Sequence, residues 1–333
     1  MNRIQKYFFS FAANQISTKR LLGRLKKPVI IHPFYHTVTN VYLPHITPLY
    51  KPKTFEKFKD DLDFFLRYFQ PVDAEDVLLH TAGEKTLTEN SFHLSFDDGL
   101  KEVYTVVMPY LFRKGIPATV FINDDFVNNA QLFYRHKVAL IIDAFTRKTP
   151  SLAVQQEIEN RLNFPAIKTL RGKILAVQYP QREVLDEIAS LLEIDFEQFL
   201  QNEKPYLTIK QLHEMRKKGF SIGGHGADHS PFSEITEEEQ IGQIVASISF
   251  AKRLAPEQHR YFAFPFTDAG VSDSVFQNIY RKNKRGPELT FGIGGIGMRY
   301  DGRHIARVDM ERYGRDAKEA VNKALLKKCI LKR

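Results

Sequence analysis

Two kinds of apolar patterning alternate along this chain. Short continuous apolar runs read as buried strands, and longer stretches with apolar residues three and four apart read as helices with one buried face. Val29-Ile30-Ile31 leads into His32-Pro33-Phe34-Tyr35-His36 and predicts a first strand. A helix is expected from Thr54, with Phe55, Phe58, Leu62, Phe65, Leu66 and Phe69 at helical spacing. Phe92–Phe96 predicts a buried strand ending at Asp97-Asp98-Gly99, Val103–Phe112 a helix stopped by Lys114-Gly115, and Ala118–Ile122 a further strand.

Between about 126 and 204 the character changes. Helical spacing runs throughout, for example at Val184, Ile188, Leu191 and Leu192, and Gly172 is the one glycine. This predicts a helical insertion. The alternation resumes with Thr208 as a helix N-cap, a helix ending at Gly219, and a strand at Phe220–Ile222 that runs into Gly223-Gly224-His225. Thr236 and Glu239 have capping-box spacing ahead of Ile241, Ile244, Val245 and Ile248. Strands at Tyr261–Phe266, Leu289–Ile293 and Ile305–Met310 follow, and a Lys-rich helix closes the chain. Seven or eight strands separated by helices predict an α/β fold, a distorted (β/α) barrel, in which polar residues at the C-terminal strand ends are the catalytic suspects.

The organisation expected is a basic amphipathic helix over residues 1–27 and a barrel over 28–333 carrying the insertion. Ile4, Phe8, Phe11 and Ala12 line one face of that first helix, with Lys19, Arg20, Arg24, Lys26 and Lys27 nearby. Such a helix suits contact with an anionic membrane surface. The apolar stretch Tyr7–Ala13 is short for an export signal, so the expected location is the cytoplasm or the inner face of a membrane.

Composition narrows the class. With 333 residues, 43% hydrophobic and 26% charged, the chain can bury a full core and is neither disordered nor coiled coil. A net charge of +9 is mild for this length, and no stacking platform or recognition motif accompanies it, so nucleic acid is not an expected partner. The single cysteine, Cys329, excludes an intramolecular disulfide.

Three polar groups fall at predicted strand ends. Ser95-Phe96-Asp97-Asp98-Gly99 offers two carboxylates that can divide cation binding from proton transfer, although Asp-Asp-Gly is more often a plain turn. His225-Gly226-Ala227-Asp228-His229 spaces two imidazoles for one divalent metal, zinc first, or for ordinary loop hydrogen bonds. Phe262-Ala263-Phe264-Pro265-Phe266 is an aromatic strand end that can line a groove or fill core. Gly219-Phe220-Ser221-Ile222-Gly223 matches a nucleophile-elbow pattern, but a helix ends at Gly219 where the elbow needs a strand. Gly292–Gly297 matches G-x-G-x-x-G with no helix opening after it, so no dinucleotide site is expected.

In order and spacing, these residues resemble the polysaccharide deacetylase family, also called the NodB-homology or family 4 carbohydrate esterases. Ser95–Gly99 resembles its first motif, His225–His229 its H-x-x-x-H motif, and Phe264-Pro265-Phe266 its R-x-P-[YF] motif. The opening Tyr35-His36-Thr37-Val38 is similar to the poly-N-acetylglucosamine deacetylase branch. The resemblance implies a metal-dependent deacetylase, most simply an N-deacetylase, acting on a polysaccharide or lipid-linked glycan. It implies Asp98, His225 and His229 as ligands of one divalent ion, Asp97 as general base, and His36 as general acid with His304 in reserve. Phe264, Pro265, Phe266, Tyr35 and Arg307 are the expected groove residues. The family's arginine in the third motif is replaced by Ala263, its late Leu-x-x-His is absent, and there is no tryptophan. The alternatives from other classes are a non-catalytic carbohydrate-binding relative and a serine esterase using Ser221.

Overall fold

The computed structural model describes residues 15–311 and 316–331. The expected apolar face at Ile4, Phe8, Phe11 and Ala12 lies outside the described residues. From Thr18 onward a short helix, Thr18–Leu22, packs against the C-terminal helix Ala317–Leu331. Thr18 Oγ1 donates to Asn322 Oδ1 at 2.8 Å across that contact.

Eleven strands are present among the described residues: β1 Ile30–Ile31, β2 Pro33–Tyr35, β3 Gln70–Pro71, β4 Ser91–Phe92, β5 Leu94–Phe96, β6 Ala118–Ile122, β7 Ser221–Gly224, β8 Tyr261–Ala263, β9 Leu289–Ile293, β10 Gly297–Arg299 and β11 His304–Asp309. The order β11-β2-β5-β6-β7-β8-β9 is parallel throughout, and β9 pairs again with β11. Seven strands therefore close a barrel, and β10 adds an antiparallel hairpin on β11. β1, β4 and β3 form a separate small parallel sheet. His32 and His93 each sit where the chain passes from that sheet into the barrel, so the single runs expected at 29–36 and 92–96 are each split in two.

Ring contacts locate the barrel interior. Phe121 on β6 and Phe291 on β9 are not strand neighbours, yet their centroids are 5.3 Å apart. Gly223 on β7 is required beside them, because a Cβ there would meet the Phe121 ring at 2.4 Å. Outside the barrel, the helix Phe55–Tyr68 is N-capped by Thr54 and buries Phe58, Leu62 and Phe65. Thr236 makes the expected capping box at the start of Glu237–Leu254, and Thr208, expected as an N-cap, opens Ile209–Lys217 with a capping box of its own through Gln211.

The segment after β6 is helical, with Tyr134–Arg147, Leu152–Arg161, Leu170–Leu175, Val184–Leu191 and Phe196–Glu203. It has its own apolar cluster around Val138, Ile141, Ile158, Ile174, Leu185 and Ile188. Leu43 and Ile46, from the loop after β2, join that cluster and bring it over the C-terminal end of the barrel.

Candidate active site

The polar strand-end groups all emerge at that same end. Asp97 and Asp98 follow β5, His225 follows β7, and His36 follows β2. Asp98 has φ +68° and His229 φ +56°, both in the left-handed region that L side chains rarely adopt. Such backbone persists where the surroundings over-determine it, and here both residues turn into one cluster.

Asp98, His225 and His229 are all buried, and one ligand atom from each lies within 4.8 Å of the others. Asp98 Oδ1 is 3.1 Å from His229 Nε2 and 3.4 Å from His225 Nε2. Two ligands held about 2.0–2.1 Å from a tetrahedral zinc lie about 3.4 Å apart, so the spacing fits one small cation. Asp98 Oδ1 is also without a hydrogen-bond partner although it is buried, an arrangement that a cation would satisfy. His225 Nδ1 is engaged with the Ala263 carbonyl at 2.7 Å, which fixes its ring and leaves Nε2 as the ligand atom. Burial pushes the His229 imidazole down against the pull of Asp98, keeping its lone pair available. Burial would raise Asp98, but His229, His225 and His36 outweigh it and hold the carboxyl well below its ordinary range.

The loop carrying the histidines is pinned from several sides. Asn123 Nδ2 donates to the carbonyls of His225, at 2.6 Å, and Gly226, at 2.9 Å. Asp228 Oδ1 accepts from Ser230 N and from Gln243 Nε2, and Asp228 Oδ2 accepts from the Tyr179 hydroxyl. Tyr179 belongs to the helical segment, so that segment is tied directly to the ligand loop.

Asp97 lies beside the cluster, its Oδ2 3.8 Å from His225 Nε2. Arg307 binds it at two points, Nη1 to Oδ1 and Nη2 to Oδ2, each at 2.7 Å. Burial would raise this carboxyl, but Arg307 with His225 and His36 holds it below the ordinary carboxylate range. His36 is partly open, with 29% of its side chain exposed. Its Nδ1 is 2.5 Å from Glu311 Oε2, and that carboxylate also accepts the backbone N–H groups of His36 and Thr37. Burial lowers the His36 imidazole, but Glu311 outweighs it with help from Asp98 and Asp97, and the net is a rise to about 10.

A family model described as polysaccharide deacetylase matches residues 84–163 and 174–283, more than half of the chain. The chain belongs to the polysaccharide deacetylase family. It is a carbohydrate deacetylase, a hydrolase. Among curated proteins none matches by sequence. Among solved structures, the Streptococcus pyogenes deacetylase PplD, in complex with acetate, is similar at TM-score 0.57 and 12% identity, over 91% of this chain and 98% of that one. IcaB from Ammonifex degensii gives TM-score 0.55 and 14% identity, over 89% and 97%. The polysaccharide deacetylase BC0361 from Bacillus cereus gives 0.51 and 12%, over 90% and 69%. At these identities the structural likeness speaks to the fold, a deacetylase-type barrel.

For this deacetylase the expected groove needs correction. Tyr35 is fully buried, its hydroxyl donates to Asp61 at 2.8 Å, and its ring packs on Phe58 and Phe96. Phe264 is buried among Phe232, Phe262 and Phe276, and Pro265 is buried beside it, so both belong to the core. Arg307 is 1% exposed and grips Asp97 instead of lining a groove. Phe266 alone of the five is open, 43% exposed, with its ring 4.6 Å from His229.

His304 is corrected too. Its Nδ1 is 2.8 Å from Thr290 Oγ1 and its Nε2 is 3.1 Å from Asp268 Oδ2, so neither nitrogen is free to deliver a proton to a substrate. Ser221 opens β7, at the opposite end of the strand from His225, which removes the geometric basis of a serine esterase.

Sequence reasoning missed Glu311, Asn123, and the Phe133–His136 face that the insertion brings to the site. Ala263 in place of the family's arginine was the signal that another cation had to hold Asp97; Arg307 was expected in the groove, not in that role.

Proposed function

We propose that this deacetylase removes N-acetyl groups from an acetylated amino-sugar glycan, with one divalent cation, zinc first, held by Asp98, His225 and His229. The observation that carries the reading is the convergence of those three ligand atoms beside an aspartate fixed by arginine. A cation bound there supplies Lewis acidity, lowering the pKa of water towards about 7 and polarising the acyl carbonyl.

The chain's own residues do the rest. Asp97 takes the proton of the attacking water as general base, and Arg307 fixes the plane of its carboxylate through both oxygens. The water oxygen bonds to the acyl carbon, the C–N bond breaks, and acetate and a free amine are the products. An amine leaves poorly unless protonated, and His36 delivers that proton. Glu311 supports this role in two ways. It orients the His36 ring through Nδ1, and it keeps the imidazole charged at neutral pH. Phe266, exposed with its ring 4.6 Å from His229, offers an apolar face to a sugar ring, and the buried Phe133 backs His229 from the core.

The test is acetate release from a panel of acetylated amino-sugar oligomers and aryl acetates. Release from an amino-sugar oligomer that a chelator abolishes and zinc restores is expected. Fully metal-loaded protein that releases acetate from no panel member would overturn the reading.

A further inference from the structure

The helical insertion contributes a histidine whose proton position is fixed by a short relay. Helix Tyr134–Arg147 carries His136, 4% exposed, with Phe133 just ahead of it. The Phe133 ring touches both His136, at 5.2 Å between centroids, and the candidate metal ligand His229, at 4.6 Å. The Phe133 ring thus joins His136 to the catalytic cluster, and Asp98, His229 and His36 act on the His136 imidazole electrostatically.

The Tyr206 hydroxyl, buried under the His136 ring, orders the protons. It accepts the backbone N–H of Phe133 at 3.0 Å, and it lies 2.7 Å from His136 Nδ1. The phenol proton has no acceptor other than Nδ1 among the described residues, so the hydroxyl donates there. Burial holds this imidazole near 3, so it is neutral, and a neutral ring accepting at Nδ1 carries its single proton on Nε2. Nε2 has no hydrogen-bond partner among the described residues. Tyr206 is stacked between His136 and Phe126, so the relay is rigid.

We propose that His136 is a substrate-binding residue that donates from Nε2–H to an oxygen of the acetylated sugar, with Tyr206 as the positioning residue that sets its tautomer. This rests on the reading above that the site takes an acetylated glycan. A neutral donor suits that task. It cannot surrender its proton to Asp97, and it adds no positive charge beside a bound cation. The insertion thereby becomes part of the substrate site.

Two measurements decide it. Nitrogen-15 NMR of the metal-loaded protein labelled at histidine should show His136 neutral and protonated at Nε2, with the preference lost in Tyr206→Phe. An Nδ1–H tautomer or a charged ring at neutral pH overturns the proposal. In kinetics with the acetylated oligomer, His136→Phe should raise KM at least tenfold with metal content unchanged. His136→Gln, which keeps a donor near the Nε2 position, should recover to within about threefold, and His136→Asn should not. Equal loss in all three variants, or loss of metal from His136→Phe, points to a structural role and overturns the proposal. If the native protein releases no acetate from any oligomer, the deacetylase reading fails by itself. The Nε2 signal then still decides this one, since a shift on adding oligomer supports the donor and no shift at saturation overturns it.

Discussion

Arg307 and Asp97 face each other across the end of the barrel with two parallel hydrogen bonds of 2.7 Å, both side chains almost completely buried. Arg307 stands on β11 and Asp97 follows β5, with β2 between them. The guanidinium also donates to Ser95 Oγ at 3.1 Å and lies over the Phe34 ring. The planar fork matches a carboxylate in a way that a lysine ammonium cannot. Arg307 thus supplies, from a different strand, the charge that the family's third motif loses at Ala263.

Removing one partner of a buried pair leaves an uncompensated charge and costs about 3–5 kcal/mol. Arg307→Met should therefore destabilise strongly in urea unfolding. Adding Asp97→Asn to it should recover part of the loss, because the stranded carboxylate is then gone. A double variant that unfolds as early as the sum of the two single changes would show that the residues do not act as a pair. Arg307→Lys should keep most of the stability and lose most of the turnover, since one-point contact frees the carboxylate to rotate.

The His36–Glu311 pair makes a statement about pH. The folded imidazole is raised to about 10, above the ordinary value of about 6.5. Its contribution to stability is therefore fully present below pH 6.5 and fades as pH rises through about 10. In metal-free protein, the stability gap between native and Glu311→Gln chains should be widest near pH 6 and narrow towards pH 10. A gap that is constant with pH contradicts the pairing. In the loaded enzyme, Glu311→Gln should move the alkaline limb of kcat/KM to lower pH.

Gly223 gives a purely steric prediction. A methyl group at this position would meet the Phe121 ring at 2.4 Å and the Tyr261 carbonyl at 3.0 Å. Overpacking of this kind costs about 1–3 kcal/mol. Gly223→Ala should lower the unfolding free energy measured in urea by that amount, whereas Gly242→Ala, where the added Cβ meets nothing within 4 Å, should not lower it.

Much of this architecture was legible from periodicity and capping. The strand Leu289–Ile293 and the helices capped by Thr54, Thr208 and Thr236 stand where their residues predict, because apolar runs and N-cap hydroxyls are local signals. The aspartate pair and the two histidines were legible as motifs. The rest was not, because it depends on which way a side chain points after the barrel closes. Phe264 and Phe266 are two residues apart and equally aromatic, yet one is core and the other open, since Phe266 leaves the strand with φ +54°. Arg307 was expected to line the groove, and only the pairing of β11 with β2 turns its side chain onto Asp97. Glu311 had no signal at all: its role exists only where the chain ends of β2 and β11 meet.

The measurement that bears most directly on the account is metal content paired with acetate release in Asp98→Asn and Asp97→Asn proteins after dialysis. The arrangement of one oxygen of Asp98 against His225 and His229, with Asp97 held apart by Arg307, predicts different defects. Asp98→Asn should lose its zinc and its activity together. Asp97→Asn should keep close to one zinc per chain while turnover falls by a factor of about 100 or more, the size expected for loss of a general base. Equal loss of zinc from both proteins, or undiminished turnover in Asp97→Asn, would contradict the division of labour proposed here.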